Sequence, residues 1–177
     1  MAVERSKRSD ARRNERSLLD AAGAVFARAG IEAPVREIAR EAGVGTGTIY
    51  RHFPTRADLV VAVFKHQVDS LAEVGDDVAL HDWIRQFSDF LVTKHGLADA
   101  MASDRAGFEQ LHIEFVVRLE PVCARLLGEE VSAGRMRADV RPLELMRAVG
   151  NLCIGAEGDA GYDAPRMIEV LLAGMAT

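Results

Sequence analysis

Val44-Gly45-Thr46-Gly47-Thr48-Ile49-Tyr50-Arg51-His52-Phe53, read with Val35-Arg36-Glu37-Ile38-Ala39-Arg40-Glu41-Ala42-Gly43 before it, is the stretch that decides the fold. Val35, Ile38, Ala39 and Ala42 fall at i, i+3, i+4 and i+7, which makes one apolar stripe on a short amphipathic helix. Gly43 is placed to end that helix in the left-handed region, where any Cβ would clash. Val44-Gly45 then turns the chain, and Thr46 or Thr48 stands where a second helix begins. On that helix Ile49 and Phe53 face inward, leaving Thr46, Gly47, Thr48, Tyr50, Arg51 and His52 for the outer face. Two short helices joined by a tight Gly-containing turn form a helix-turn-helix, whose second helix enters a DNA major groove.

The residue types on that outer face suit DNA. Thr46, Gly47 and Thr48 lie at the N-terminal end of the second helix, the end that reaches base edges. A threonine can hydrogen-bond several bases or pack its methyl on thymine, and Gly47 lets the backbone approach the groove wall. The same threonines also suit a capping role, and Tyr50 a packing one. Arg36 is a candidate for a guanine contact, with Arg51 and Arg56 as further basic residues near the same face. Arg40 is read as the partner of Glu37 or Glu41 in a surface ion pair.

Ile38-Ala39, Ala42-Gly43-Val44, Gly47-Thr48-Ile49-Tyr50, His52-Phe53, Arg56 and Leu59 together resemble the DNA-binding segment of the TetR family of transcriptional regulators. The resemblance spans three helices in one register, over roughly residues 12–65. It implies that Tyr50 and His52 touch phosphate, positioning the protein without reading sequence. Many members carry Ser at the place of Gly45 and Thr at the place of Pro34, so two hydroxyl N-caps that also reach phosphate are absent here. Thr46 is the expected replacement cap, and proline suits a first helical turn.

Composition agrees with a helical DNA binder. The chain has 177 residues, 49% apolar and 28% charged, with only five prolines, which favours a helical, well-cored protein. Residues 1–56 hold 11 Lys+Arg against 7 Asp+Glu, a net +4, whereas residues 57–177 hold 11 against 20, a net −9. A basic head on an acidic body fits a module that contacts phosphate and a body that does not. No stretch approaches about 18 consecutive apolar residues, so no membrane span is expected. The basic, polar N-terminus has no apolar leader core, and a cytoplasmic protein is expected. Cys123 and Cys153, each within a helical pattern, are expected to be reduced thiols.

The expected architecture is all-α, about nine helices in two parts: a helix-turn-helix domain with a basic N-terminal arm over 1–56, and a helical effector-binding and dimerisation domain over 57–177. Residues 1–10, with Arg5, Lys7 and Arg8, read as a disordered arm before a helix over about 11–29, whose N-terminal half carries Arg12, Arg13 and Arg16. Thr55-Arg56-Ala57-Asp58 reads as a capping box opening a long helix to about position 77. Further helices are expected near 81–95, as a short element near 97–102, and over a long pattern that Pro121 should kink or break. Pro142 opens another, with Leu145, Met146, Val149, Leu152, Cys153 and Ala156 on one side; Asp163 and Pro165 start the last.

Trp83, Phe87, Phe90, Met101, Phe108, His112 and Phe115 come from helices that the TetR resemblance makes the walls of a pocket for a small apolar or amphipathic effector. The same stripe suits plain core. Residues about 142–176 are apolar over wide faces, with Gly150 and Gly155 allowing close approach; the resemblance makes them a homodimer interface, matching a palindromic double-stranded operator with two half-sites. Enzyme signatures are missing: the histidines lack HExxH spacing, the cysteines lack metal-ligand spacing, and the Gly/Thr run over 43–48 follows no strand and precedes no Gly-Lys-Ser/Thr. No catalytic, metal or cofactor site is expected. The resemblance implies a repressor released by its effector; a constitutive DNA-binding dimer, or an all-α enzyme or carrier, stays open on the residues alone.

Overall fold

The computed structural model describes the backbone of residues 2–102, 104–154 and 161–177, and their side chains apart from 2–12, 92, 93, 95, 98 and 99. Eight helices follow in chain order among the described residues: α1 (Ala2–Ala29), α2 (Val35–Glu41), α3 (Thr46–His52), α4 (Arg56–Ala72), α5 (Leu80–Ala100), α6 (Arg105–Ser132), α7 (Pro142–Ile154) and α8 (Ala164–Met175). The fold is all-α; one isolated antiparallel bridge joins Met136 to Ala176. None of these helices is long and apolar enough to cross a membrane.

The chain divides into two compact units. The first comprises residues 1–67 and 92–105, the second 68–91 and 106–177. In the first, α1 buries Leu18, Leu19, Ala22, Val25 and Phe26, then stops at Gly30, whose φ of 75° only glycine adopts freely. From α4 the same core receives Leu59, Val60, Val63 and Phe64. In the second, Trp83, Ile84, Phe87 and Phe90 are fully enclosed with Leu119 and Leu126. The Trp83 indole N–H donates to the Leu71 carbonyl at 3.0 Å, which satisfies the one polar atom of that buried ring.

Several elements differ from the sequence expectation. The backbone of α1 is helical from Ala2, so the segment expected as a disordered arm continues the first helix; the side chains of Arg5, Lys7, Arg8 and Arg12 lie outside the described residues. Helix α4 ends at Ala72, short of position 77, because Gly75 and the adjoining acidic turn interrupt it. One helix fewer is present because α5 runs unbroken to Ala100 and absorbs the short element expected near 97–102. Leu97 is fully buried and extends the stripe of Trp83, Phe87 and Phe90, so burial outweighs the roughly 1 kcal/mol that Gly96 costs a helix. Pro121 does not break α6, which is continuous over 28 residues. Gly155 and Ala156 lie outside the described residues.

The helix starts at α4 and α8 form as their sequences dictate. Asp58 Oδ2 accepts from the Thr55 amide at 2.9 Å and from its hydroxyl at 2.7 Å, while Thr55 Oγ1 accepts from the Asp58 amide at 3.1 Å. The Asp163 carboxylate accepts from the Arg166 amide at 3.0 Å, with Pro165 in the first turn of α8.

Candidate nucleic-acid interface

The α2–α3 turn is built by its glycine. Gly43 sits at φ 66°, and the Val44 and Gly43 amides donate back to the Ala39 and Arg40 carbonyls at 2.9 and 3.3 Å. These two bonds satisfy the last carbonyls of α2 and turn the chain sharply into α3. Ile38 and Ala39 of α2 and Ile49 and Phe53 at α3 are buried, which fixes the rotation of both short helices. That rotation leaves Gly45, Thr46, Gly47, Tyr50, Arg51 and His52 exposed, with Thr48 half-buried.

Thr46 is not the cap that the sequence suggested. The N-cap of α3 is Gly45, in extended conformation with no side-chain bond, and Thr46 is the first helical residue. Pro34 likewise caps α2 through backbone alone. The first amides of α3 are therefore free of any side-chain cap, and the Thr46 hydroxyl is not spent on holding the helix. Tyr50 is 53% exposed although it is a large aromatic side chain, so packing does not account for it. Arg51 keeps one long bond, from Nε to the Gly47 carbonyl at 3.4 Å.

Among the described residues Arg36 and Arg40 are exposed and make no ion pair; Glu41 pairs instead with Arg28 of α1 at 3.6 Å. The expected pairing of Arg40 with Glu37 or Glu41 is thus replaced by a contact that ties α2 to α1. Arg56 stands apart from the outward set. Its half-buried guanidinium donates to the Ile31 carbonyl and, at 2.8 Å, to the Ala33 carbonyl, clamping the α1–α2 connection onto the start of α4. Sequence reasoning missed this role because its acceptors are backbone carbonyls, which no side-chain pattern announces.

The residues considered for an effector divide between the units. Met101 belongs to the first. In the second, Trp83 stacks on Phe87 at 5.3 Å, Phe87 on Phe90 at 6.0 Å, and Phe90 meets Phe115 at 5.7 Å. His112 lies edge-on to Phe115 at 5.0 Å and tilted to Phe108 at 6.5 Å. Trp83, Phe87, Phe90 and Phe115 are buried, Phe108 is half-buried and His112 is exposed.

This arrangement recurs in known regulators. Residues 18–63 match the family described as bacterial regulatory proteins, tetR family, and residues 76–177 match the C-terminal domain of SbtR-like transcriptional regulators. A TetR transcriptional regulator from Streptomyces coelicolor shares 31% identity over 90% of this chain and 97% of its own, with a TM-score of 0.69. The chain belongs to the TetR family of transcriptional regulators. Another TetR regulator, from Mycobacterium vanbaalenii, shares 30% identity over 96% of this chain and 99% of its own, at a TM-score of 0.61. An HTH-type transcriptional regulator of Staphylococcus aureus is 36% identical over 63 residues, 35% of this chain and 34% of that protein. The match to such curated relatives therefore spans about a third of their length. As a TetR-family regulator the chain carries its helix-turn-helix in α2 and α3.

Proposed function

We propose that this regulator is a homodimeric, sequence-specific repressor that binds a palindromic operator and leaves it when a small molecule binds. It acts by binding, without catalysis and without a cofactor, in the cytoplasm. The observation that carries the reading is the outward face of α3: Thr46, Gly47, Tyr50, Arg51 and His52 are exposed while Ile49 and Phe53 hold the helix down. Thr46, Gly47 and Thr48 take the base-edge contacts, with Arg36 on a guanine. Tyr50, Arg51 and His52, with the Gly45 amide region, take phosphate. Arg56 serves the same surface indirectly, by holding the Ile31–Ala33 connection in place.

The helix-turn-helix domain ends near position 56, and the remainder to 177 is the effector and dimerisation domain. An apolar or amphipathic effector meets the second unit beside Phe108, His112 and Phe115, where the ring cluster reaches the surface. Dimerisation through residues about 142–176 is supported by Ile154, Met167 and Val170, all exposed apolar side chains of α7 and α8. Release follows only if the effector binds the DNA-fitting and non-fitting conformations differently, since equal affinity shifts nothing.

Selection of bound duplexes from a random DNA pool, with purified protein at stated salt, tests the reading. A palindromic consensus is expected, with half-sites about one helical turn apart. Tyr50→Phe and His52→Ala should weaken binding to all sequences alike. No enrichment by a folded dimer, with or without cell extract, would sink the proposal.

A further inference from the structure

Helix α6 has a second apolar face that its own fold does not use. Its inward stripe is Leu111, Phe115, Leu119 and Cys123, all buried. On another face Ile113, Val117, Pro121, Ala124 and Gly128 are all exposed, Ile113 by 56% and Val117 by 66%. At 3.6 residues per turn these five fall within an arc of about 80° and run for about 22 Å along the helix. Glu114 and Glu120 border the stripe. The two arginines in the middle of the helix are engaged elsewhere: Arg118 pairs with Asp69, and Arg125 with Asp76 and Glu129. Gly128 is open, for a methyl added there would meet nothing within 4 Å.

The stripe belongs to a larger pattern. Of the six large apolar side chains exposed among the described residues, five lie on three successive helices of the second unit: Ile113 and Val117 on α6, Ile154 on α7, Met167 and Val170 on α8. Cys123 of α6 points its thiol at the Pro142 carbonyl, 3.7 Å away, so the start of α7 lies beside the middle of α6. Ile154 is 12 residues beyond Pro142, about 18 Å along α7.

Area decides what covers such a face. A stable dimer interface takes about 20–30 residues from each partner. Helices α7 and α8 have 13 and 12 residues, and Leu145, Met146, Val149, Ile168, Leu172 and Met175 among them are already spent inward. Their outward halves alone fall short of that size. The α6 stripe makes up the difference.

We propose that the Ile113–Gly128 stripe of α6 is part of the homodimer interface, covered by a second copy of this chain and extending the contact beyond α7 and α8. This rests on the reading that the protein dimerises through residues about 142–176. Because α6 also carries Phe108, His112 and Phe115, the partner would then rest on the helix that presents the proposed effector site.

Sedimentation equilibrium of the full chain tests this, comparing wild type with Val117→Glu, Ala124→Glu and Val170→Glu, each checked for helical content by circular dichroism. Val117→Glu and Ala124→Glu should each raise the dimer dissociation constant by about ten-fold or more with the helical signal unchanged. Val117→Ser adds no charge and should still raise it several-fold, which keeps the test open if a glutamate variant loses helix. Wild-type dissociation constants for the stripe variants overturn the proposal. If only Val170→Glu weakens the dimer, the interface is α7 and α8 alone and the stripe is excluded. If only the stripe variants weaken it, the stripe stands and the α7–α8 reading falls. A wild-type chain that sediments as a monomer at concentrations where the others are compared overturns it as well, leaving the stripe to a different partner.

Discussion

Arg56 has the charge and the neighbourhood of a phosphate contact, but its donors point at the Ile31 and Ala33 carbonyls. Hydrogen bonds to a charged donor contribute about 1.5–3 kcal/mol, and a half-buried carbonyl left without one costs free energy. Arg56→Ala is therefore expected to lower unfolding stability by roughly 2 kcal/mol. It should also weaken operator binding without changing the dependence of log K on log salt. Loss of a cation on phosphate instead reduces that slope by about one per subunit, so about two for the dimer, as expected for Arg51→Ala. A slope change for Arg56→Ala would return it to the DNA surface. The two cysteines differ in the same local way. Burial, with the Glu120 carboxylate nearby, pushes the Cys123 thiol up to about 12. Burial also raises Cys153, partly opposed by a hydrogen bond with Ser88. The thiolate is the reactive form, so native protein at pH 8 should leave Cys123 unlabelled by maleimide and Cys153 slow. Both should react at once in denaturant; rapid native labelling of Cys123 would contradict its burial.

At the scale of elements, the helix-turn-helix was legible because its signals are local and redundant. The Ile38, Ala39, Ile49 and Phe53 spacing sets both helix faces, and Gly43 supplies the left-handed turn between them. The capping box at Thr55–Asp58 and the Asp163 cap were legible for the same reason. The course of α5 was not, since a glycine inside a helical pattern reads equally as a break. Its reason is tertiary: a Cβ on Gly96 would approach the Ile31 side chain to 2.5 Å, so the residue is small to let α5 lie close to the α1–α2 connection. The same connection is also gripped by Arg56. Gly96→Ala thus sets better helix propensity, worth about 1 kcal/mol, against overpacking that costs about 1–3 kcal/mol. Net destabilisation is expected in chemical unfolding. Ile31→Ala in the same chain should relieve it, so the double variant should be more stable than the sum of the single losses. Simple additivity would show that the contact is not the cause. The α6 stripe was illegible in another sense, because a periodicity of apolar residues marks a face without saying whether the chain or a partner covers it.

For the molecule as a whole, charge is divided unevenly along the chain. The +4 of residues 1–56 and the −9 of the remainder leave phosphate attraction to the helix-turn-helix, where Arg36, Arg40 and Arg51 are exposed. Each phosphate neutralised by a cation contributes about −0.9 to the slope of log K against log salt. Three arginines on each of two subunits set an upper bound near −5 for the dimer, and about half of that for a single subunit on a half-site. Operator affinity measured across a salt series should therefore give a slope between about −4 and −5 for wild type. Val170→Glu, if it separates the subunits, should bring the slope to about −2 to −3 and abolish the preference for two half-sites over one. Steepness and palindrome preference must fall together, since both count the same heads. A slope that stays near −5 in a monomeric variant would place cations beyond these three arginines on the DNA, and Arg13 and Arg16 of α1 are the residues to replace next.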